Sequence, residues 1–249
     1  MSKTLVVIPY FSAGSQGKEI DLAIAGWGKH FKEDYLLVVV GDYANVPGGL
    51  FVDCPQVRHD DDGNYLPHLD HANKFRKILD LFPGYGGFIY ACDDMYAVND
   101  FTLDDVKRLK YLEEDMNGNL LSPNGWERDM AKTRNICVTC GIPVRNWVCH
   151  LPVWFERDKF EQMYRRFDYL HNSFIVENVY YNLFHGGEDA DLVDGSDRWR
   201  LGVFDQSVTD DIIWNAMKSK VWITNSNEGW SERLENLLKH HYGESGAIS

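Results

Sequence analysis

The sequence predicts an α/β fold: a mixed, mainly parallel sheet flanked by helices, forming a single domain over 1–249 with a smaller C-terminal elaboration. Three observations predict it. Two short runs, Thr4-Leu5-Val6-Val7-Ile8 and Leu36-Leu37-Val38-Val39-Val40, are apolar throughout and rich in valine, as strands buried on both faces are. Between them Ile20, Ala23, Ile24, Trp27 and Phe31 recur at i, i+3, i+4, i+7 and i+11, which is one stripe of a helix. Strand, helix and strand within roughly 35 residues make a βαβ unit with a right-handed crossover and parallel strands. The third observation is length: 249 residues bury one sizeable core, and no internal repeat, low-complexity tract or long linker divides them.

The remaining elements follow in order. Pro9 breaks the first strand and Gly41-Asp42 ends the second. An irregular stretch over 43–67 carries the acidic cluster Asp60-Asp61-Asp62 before Gly63. Leu69, Ala72, Phe75, Ile78, Leu79 and Phe82 then mark a second amphipathic helix, stopped by Pro83-Gly84. Gly87-Phe88-Ile89-Tyr90-Ala91 is a third buried strand and runs straight into Cys92-Asp93-Asp94. Thr102-Leu103-Asp104-Asp105 has the composition of a capped helix start. Downstream we expect a strand at 147–154, helices at 158–167 and 177–184, a strand at 220–224, and a closing helix carrying Trp230, Leu234, Leu237 and Leu238.

Composition narrows the function. A formal net charge of -13 disfavours a broad nucleic-acid footprint, because a duplex-binding surface needs positive potential to release counterions. Five cysteines without secretory context predict reduced thiols. No stretch approaches ~18 consecutive apolar residues, so no membrane span is expected and the protein is expected in the cytoplasm. Aromatic residues at 14% suit a sugar-handling cleft as well as a core.

Ligands of open α/β sheets bind beyond the carboxyl ends of the strands. Three such ends converge here: Pro9-Tyr10-Phe11-Ser12, Gly41-Asp42-Tyr43 and Asp93-Asp94. Adjacent carboxylates at a buried strand end raise one another's pKa unless a cation or strong donors compensate. Mg²⁺ or Mn²⁺ fits, since these ions take one or two protein carboxylates plus phosphate oxygens. Asp93 and Asp94 are therefore the candidate metal ligands for a bound nucleotide diphosphate; the alternative is that they cap the following turn. The loop Ser12-Ala13-Gly14-Ser15-Gln16-Gly17 sits where backbone N–H groups and a helix start face phosphate, or else is an ordinary βα turn. Asp42 either accepts from a base or ribose or is a routine turn residue. Lys74, on the second helix, either reaches a phosphate or lies in solvent. His150, in the apolar run Trp147-Val148-Cys149-His150-Leu151-Pro152, points either into the core or into the cleft, where it would be a general base or a further metal ligand. Cys137-Val138-Thr139-Cys140 has the spacing of half a zinc site but no second C-x-x-C completes it.

Several blocks resemble a known family. Tyr65-Leu66-Pro67-His68 through the helix to FIYACDDMYAVNDF looks like the second block of the Stealth-type sugar-phosphate transferases. HLPVWFERDKFEQMYRRF is similar to their third block and VWITNSNEGWSERLENLL to their last, whereas their opening block is replaced here by IPYFSAGSQGKE. The chain also resembles the GT-A glycosyltransferase fold, with Cys92-Asp93-Asp94 in place of its D-x-D metal motif and Asp94 in the ligand position. The resemblance implies a metal-dependent enzyme that transfers a sugar from a nucleotide-sugar donor to a glycan or other acceptor. Residues 1–115 would hold the nucleotide, through Pro9, Tyr10, Phe11, Ser12, Gly17, Asp42 and Lys74, and 116–249 the acceptor, with His150 and Asp93 catalytic. The alternatives are sugar-1-phosphate transfer to a glycan, glycosylation of a DNA base, and a non-catalytic nucleotide-sugar-binding module.

Overall fold

The computed structural model describes residues 3–42, 45–55, 63 and 65–243; Tyr43 and the acidic cluster Asp60-Asp61-Asp62 lie outside the described residues. The chain opens with the expected βαβ unit, β1 (Thr4–Tyr10), α1 (Glu19–His30) and β2 (Tyr35–Gly41), followed by a short edge strand, β3 (Leu50–Asp53). Helix α2 (Pro67–Leu81) then leads into β4 (Gly87–Tyr90), β5 (Met95–Ala97) and the short α3 (Leu103–Lys107). After β6 (Lys110–Tyr111) come α4 (Gly125–Thr139), β7 (Val153–Glu156), α5 (Arg157–Arg166) and α6 (Val176–His185). The chain closes with β8 (Asp191–Leu192), β9 (Arg200–Val203), α7 (Asp210–Ser219), β10 (Trp222–Asn225) and α8 (Glu232–Tyr242).

The main sheet has the order β3-β2-β1-β4-β7 and is parallel except for β7, which runs against β4. Strand periodicity sorts its side chains into two cores. Leu5, Val7, Val38, Val40, Phe88 and Tyr90 face Phe75 of α2 and Phe160 of α5. Val6, Ile8, Leu37, Val39 and Ile89 face Ile24 and Trp27 of α1. Both faces are covered, which is why these strands lack polar alternation in the sequence. A second sheet, β5-β10-β9, packs with Leu22 and Ala23 of α1, with α7 and with Leu234 and Leu238 of α8. It forms the C-terminal elaboration, and the chain enters it directly after Asp93-Asp94.

Thr102 caps α3 in a reciprocal box with Asp105, as the sequence predicts. Two expectations need correction. The strand expected at 147–154 is only Val153–Glu156, because His150 takes a left-handed backbone with φ 52, which no strand accommodates. The closing helix begins at Glu232, after a Ser231 cap whose hydroxyl accepts from the Leu234 N–H, so Trp230 precedes it. All five cysteines are free; Cys137 lies buried in the last turn of α4 and Cys140 is its exposed C-cap.

Candidate active site

The strand order turns at β1 and β4, and their pairing stops short of the strand ends. Hydrogen-bond pairing between the two strands runs only from Leu5↔Phe88 to Val7↔Tyr90, with Val7 O accepting from Ala91 N at 3.0 Å. Pro9 has the same strand parity as Val7, so its missing N–H would have pointed at β4 just where the strands part. Proline thus costs the sheet nothing and ends the pairing. Such a split is where α/β sheets bind ligands.

Asp42, at the end of β2, holds the loop after β1. Both its carboxylate oxygens accept from the Ser12 N–H at 3.0 Å, and it also bonds the Ser12 hydroxyl. Phe11 packs on Tyr65 with ring centroids 4.7 Å apart. Gly17 adopts φ +49, and an added Cβ would lie 2.9 Å from Trp230 Nε1, so only glycine fits both the backbone and the indole. Lys74 does not lie in solvent. It is 1% exposed, and its ammonium donates to Asp70 Oδ2 and to Tyr10 O at 2.7 Å. One helical turn separates Lys74 from Asp70, so both sit on the buried face of α2 and support Tyr10 from behind.

Asp93 and Asp94 form the turn between β4 and β5. Burial, then Asp94 and Glu19, push the Asp93 carboxyl up to about 7, against a hydrogen bond from Ser15. Glu19, in the first turn of α1, is the third acid of this group. Burial raises its pKa and Asp94 adds to that; hydrogen bonds from Asn225 and from the Gln16 N–H oppose it. Asn225 at the end of β10 donates to Glu19 at 2.7 Å and accepts from the Tyr96 hydroxyl at 2.7 Å, bracing the acidic turn from the second sheet.

His150 lines a large cleft. Its Nε2 lies 2.9 Å from Asp94 Oδ1, with both side chains about a quarter exposed (28% and 24%). Burial disfavours the charged ring, but Asp94 outweighs it and the net shift is upward. The two groups form a close ion pair whose alignment is poor for a hydrogen bond, so the buried Asp94 Oδ1 is held by charge rather than by a well-directed donor. An anionic acceptor so imperfectly met, with two further acids beside it, is what a hard cation satisfies. Among the described residues no group of three or more His, Cys, Asp or Glu encloses a metal by itself. Asp94, with Asp93 and His150 beside it, can hold one only if a ligand such as a diphosphate supplies the remaining oxygens.

Beyond His150 a cleft of about 970 Å³ opens towards β9 and α4. Glu177, half-buried in the first turn of α6, feels both His68 and His150, and burial raises its carboxyl. Its position comes from a knot that pins the start of α6: Asp129 of α4 accepts from Ser173 Oγ at 2.6 Å and pairs with His68 Nδ1 at 2.8 Å, while Thr133 Oγ1 accepts from Ile175 N at 2.9 Å. Burial raises the Asp129 carboxyl, but His68, Ser173 and Lys132 more than offset this and hold it down at about 2. A depressed acid stabilises the fold above its unfolded pKa of ~3.9 and loses that contribution as pH falls towards the folded value. In acid titration the native protein should therefore lose on the order of 2 kcal/mol between pH ~4 and ~2 through this group. Asp129→Asn should show a flatter stability profile in that window; equal slopes would assign the acid sensitivity elsewhere.

Of the residues the sequence singles out, Ser12 is bonded to Asp42, Asp42 and Asp93 lie close enough to act on Tyr10, and Asp94 meets His150; of these, His150 lines the large cleft. Sequence reasoning missed Glu19, Glu177 and Arg200, which carry no local motif.

No family model matches the sequence, and no curated protein matches it. Solved structures do. The chain is similar to the apo form of the glycosyltransferase GlyE of Streptococcus pneumoniae TIGR4, with a TM-score of 0.50 and 9% identity, over 97% of this chain and 60% of GlyE. It thus spans about 60% of the length of that protein. A glycosyltransferase involved in glycosylation of the major capsid of PBCV-1 aligns over 96% of this chain and 99% of its own, with a TM-score of 0.45 and 8% identity. At such identities the likeness to GlyE speaks to the fold, a mixed α/β domain with a mainly parallel sheet flanked by helices. The resemblance to the Stealth-type transferases has no counterpart among these structures.

Proposed function

We propose that this chain is a metal-dependent glycosyltransferase that uses a nucleotide-sugar donor. The observation that carries the proposal is the acidic turn at the carboxyl end of β4, where Asp94 sits beside Asp93 and Glu19 and its Oδ1 is met by His150, a residue that lines the large cleft. Tyr10, Ser12 and Asp42 would line the nucleoside edge, with Pro9, Phe11 and Gly17 shaping the loop and Lys74 fixing Tyr10 from behind. Mn²⁺ or Mg²⁺, if bound at Asp94 and Asp93, would supply charge neutralisation for the departing diphosphate. His150 stands between that position and the cleft, where it can donate to the leaving group or contact an acceptor hydroxyl. The half at 116–249 would hold the acceptor.

The net charge of -13 and the acidic rim of the cleft, with Glu113, Glu114, Asp115 and Asp194, weigh against a DNA acceptor. Among the described residues no helix is long and apolar enough to cross a membrane.

A panel of nucleotide sugars screened by thermal shift with and without Mn²⁺ tests the proposal, because a ligand selective for the native state raises its stability. We expect at least one donor to stabilise only in the presence of the ion. Its slow turnover on water should release a nucleoside diphosphate. Release of a nucleoside monophosphate would mean sugar-1-phosphate transfer instead, and metal-dependent affinity without turnover would mean a binding module.

A further inference from the structure

The acceptor-side cleft contains a guanidinium that, among the described residues, makes no ion pair. Arg200 opens β9 and lines the cleft together with His150. Its Nη1 is buried and has no hydrogen-bond partner, and among the described residues no carboxylate pairs with it. Neighbouring arginines differ: Arg108 pairs with Asp191 and Arg198 with Asp105. The nearby Asp197 acts on Arg200 through its charge but makes no ion pair with it, its carboxylate accepting instead from the N–H groups of Asp194, Gly195 and Trp199 within its own loop. Glu114 acts on Arg200 only through its charge, from an exposed position. The guanidinium lies over the Phe204 ring, 5.3 Å from its centroid, which fixes its plane.

Leaving a guanidinium partly desolvated and unpaired is costly, and such groups normally meet an anion. A planar guanidinium is matched by a carboxylate through two parallel hydrogen bonds. Trp126 and Phe204, 45% and 44% exposed, offer aromatic faces in the same cleft for the apolar side of a sugar ring. The rim carboxylates Glu113, Glu114, Asp115 and Asp194 set an upper limit on charge, since a polyanion entering past them would be repelled. Arg200 belongs to the second sheet and lies across His150 from the strand ends where the nucleotide is expected, so the anion it awaits is on the acceptor.

We infer that the cleft selects an acceptor sugar bearing a single carboxylate, a uronic-acid-type residue, with Arg200 binding the acid group and Trp126 and Phe204 flanking the ring. This rests on the glycosyltransferase proposal for the acceptor's role, but not for the binding site itself. The sugar presents a hydroxyl towards His150, and its acid group sets the register.

Binding of methyl glucuronide, methyl glucoside and glucose 6-phosphate, followed by chemical-shift titration of the native protein, tests the inference without a donor. A charge-assisted bidentate contact should favour glucuronide over glucoside roughly tenfold or more. The acidic rim should place the dianionic phosphate ester below glucuronide. Arg200→Gln should erase the preference and Arg200→Lys should retain part of it, in proteins whose melting confirms the native fold. Equal affinities in the native protein, absence of binding by any of the three sugars, or a preference surviving in Arg200→Gln would overturn it. So would an equal loss of nucleoside diphosphate affinity in Arg200→Gln, which would give the guanidinium to the donor. If glucuronide binds through Arg200 while no nucleotide sugar is turned over, the transferase proposal fails and the carboxylate site stands.

Discussion

Asp94→Asn is expected to abolish Mn²⁺-dependent affinity for a nucleoside diphosphate and to lower donor turnover roughly 10²- to 10³-fold, the scale of losing one electrostatic stabiliser of a leaving group. The amide keeps the shape of the side chain and can still accept from a neighbour, so the turn between β4 and β5 should persist. What disappears is a negative charge beside Asp93 and Glu19, both of whose carboxyls Asp94 helps to raise. Relief of that repulsion opposes the loss of the charge contact with His150, so the melting temperature of the metal-free variant should change little. If Asp94 were merely a turn cap, the opposite pattern would follow: lower stability and intact nucleotide binding. Measuring melting with and without Mn²⁺ and nucleotide therefore separates the two roles in one experiment. Unchanged metal-dependent affinity in the variant would remove the main support for the proposed chemistry.

What the sequence made legible follows from where each element is buried. β1, β2 and β4 are covered on both faces and appear as uninterrupted apolar runs, while α1 and α2 bury one continuous stripe each. Helix α4 was invisible for a physical reason: its inner face contains Asp129 and Thr133 as well as Met130, Ala131 and Cys137, so polarity hides its period. Those polar groups are buried because His68, Ser173 and Ile175 N–H complete their bonding from elsewhere in the chain. β9 buries only Val203 and β5 is three residues long, too little pattern for either to register. Helix α7 did carry a signal, with Ile213, Ala216 and Met217 at i, i+3 and i+4. In the site, acids at strand ends were readable because strand direction alone positions them. Glu19 was not, since its partner Asn225 lies 206 residues away. Arg200 stood out only once the acids around it proved to be bonded to other groups.

The buried pair behind the end of β1 should give the largest effect on stability. Asp70 and Lys74 are 0% and 1% exposed, and the Tyr65 hydroxyl donates to Asp70 at 2.9 Å. Removing one member of such a pair leaves the other charged and desolvated, at a cost of about 3–5 kcal/mol. Lys74→Met keeps much of the volume, so its loss in urea unfolding should come from the stranded Asp70 carboxylate rather than from a cavity. Adding Asp70→Leu should restore most of the stability, because apolar replacement of both partners is often neutral. Function should not recover in step. Lys74 also donates to Tyr10 O at 2.7 Å, and neither methionine nor leucine can replace that bond. The double variant should therefore be stable but bind nucleotide more weakly than the native protein, with Tyr10 no longer fixed at the end of β1. Should Lys74→Met unfold within ~1 kcal/mol of the native protein, the pair is worth no more than an exposed one, and the support it gives Tyr10 would have to come from the sheet alone.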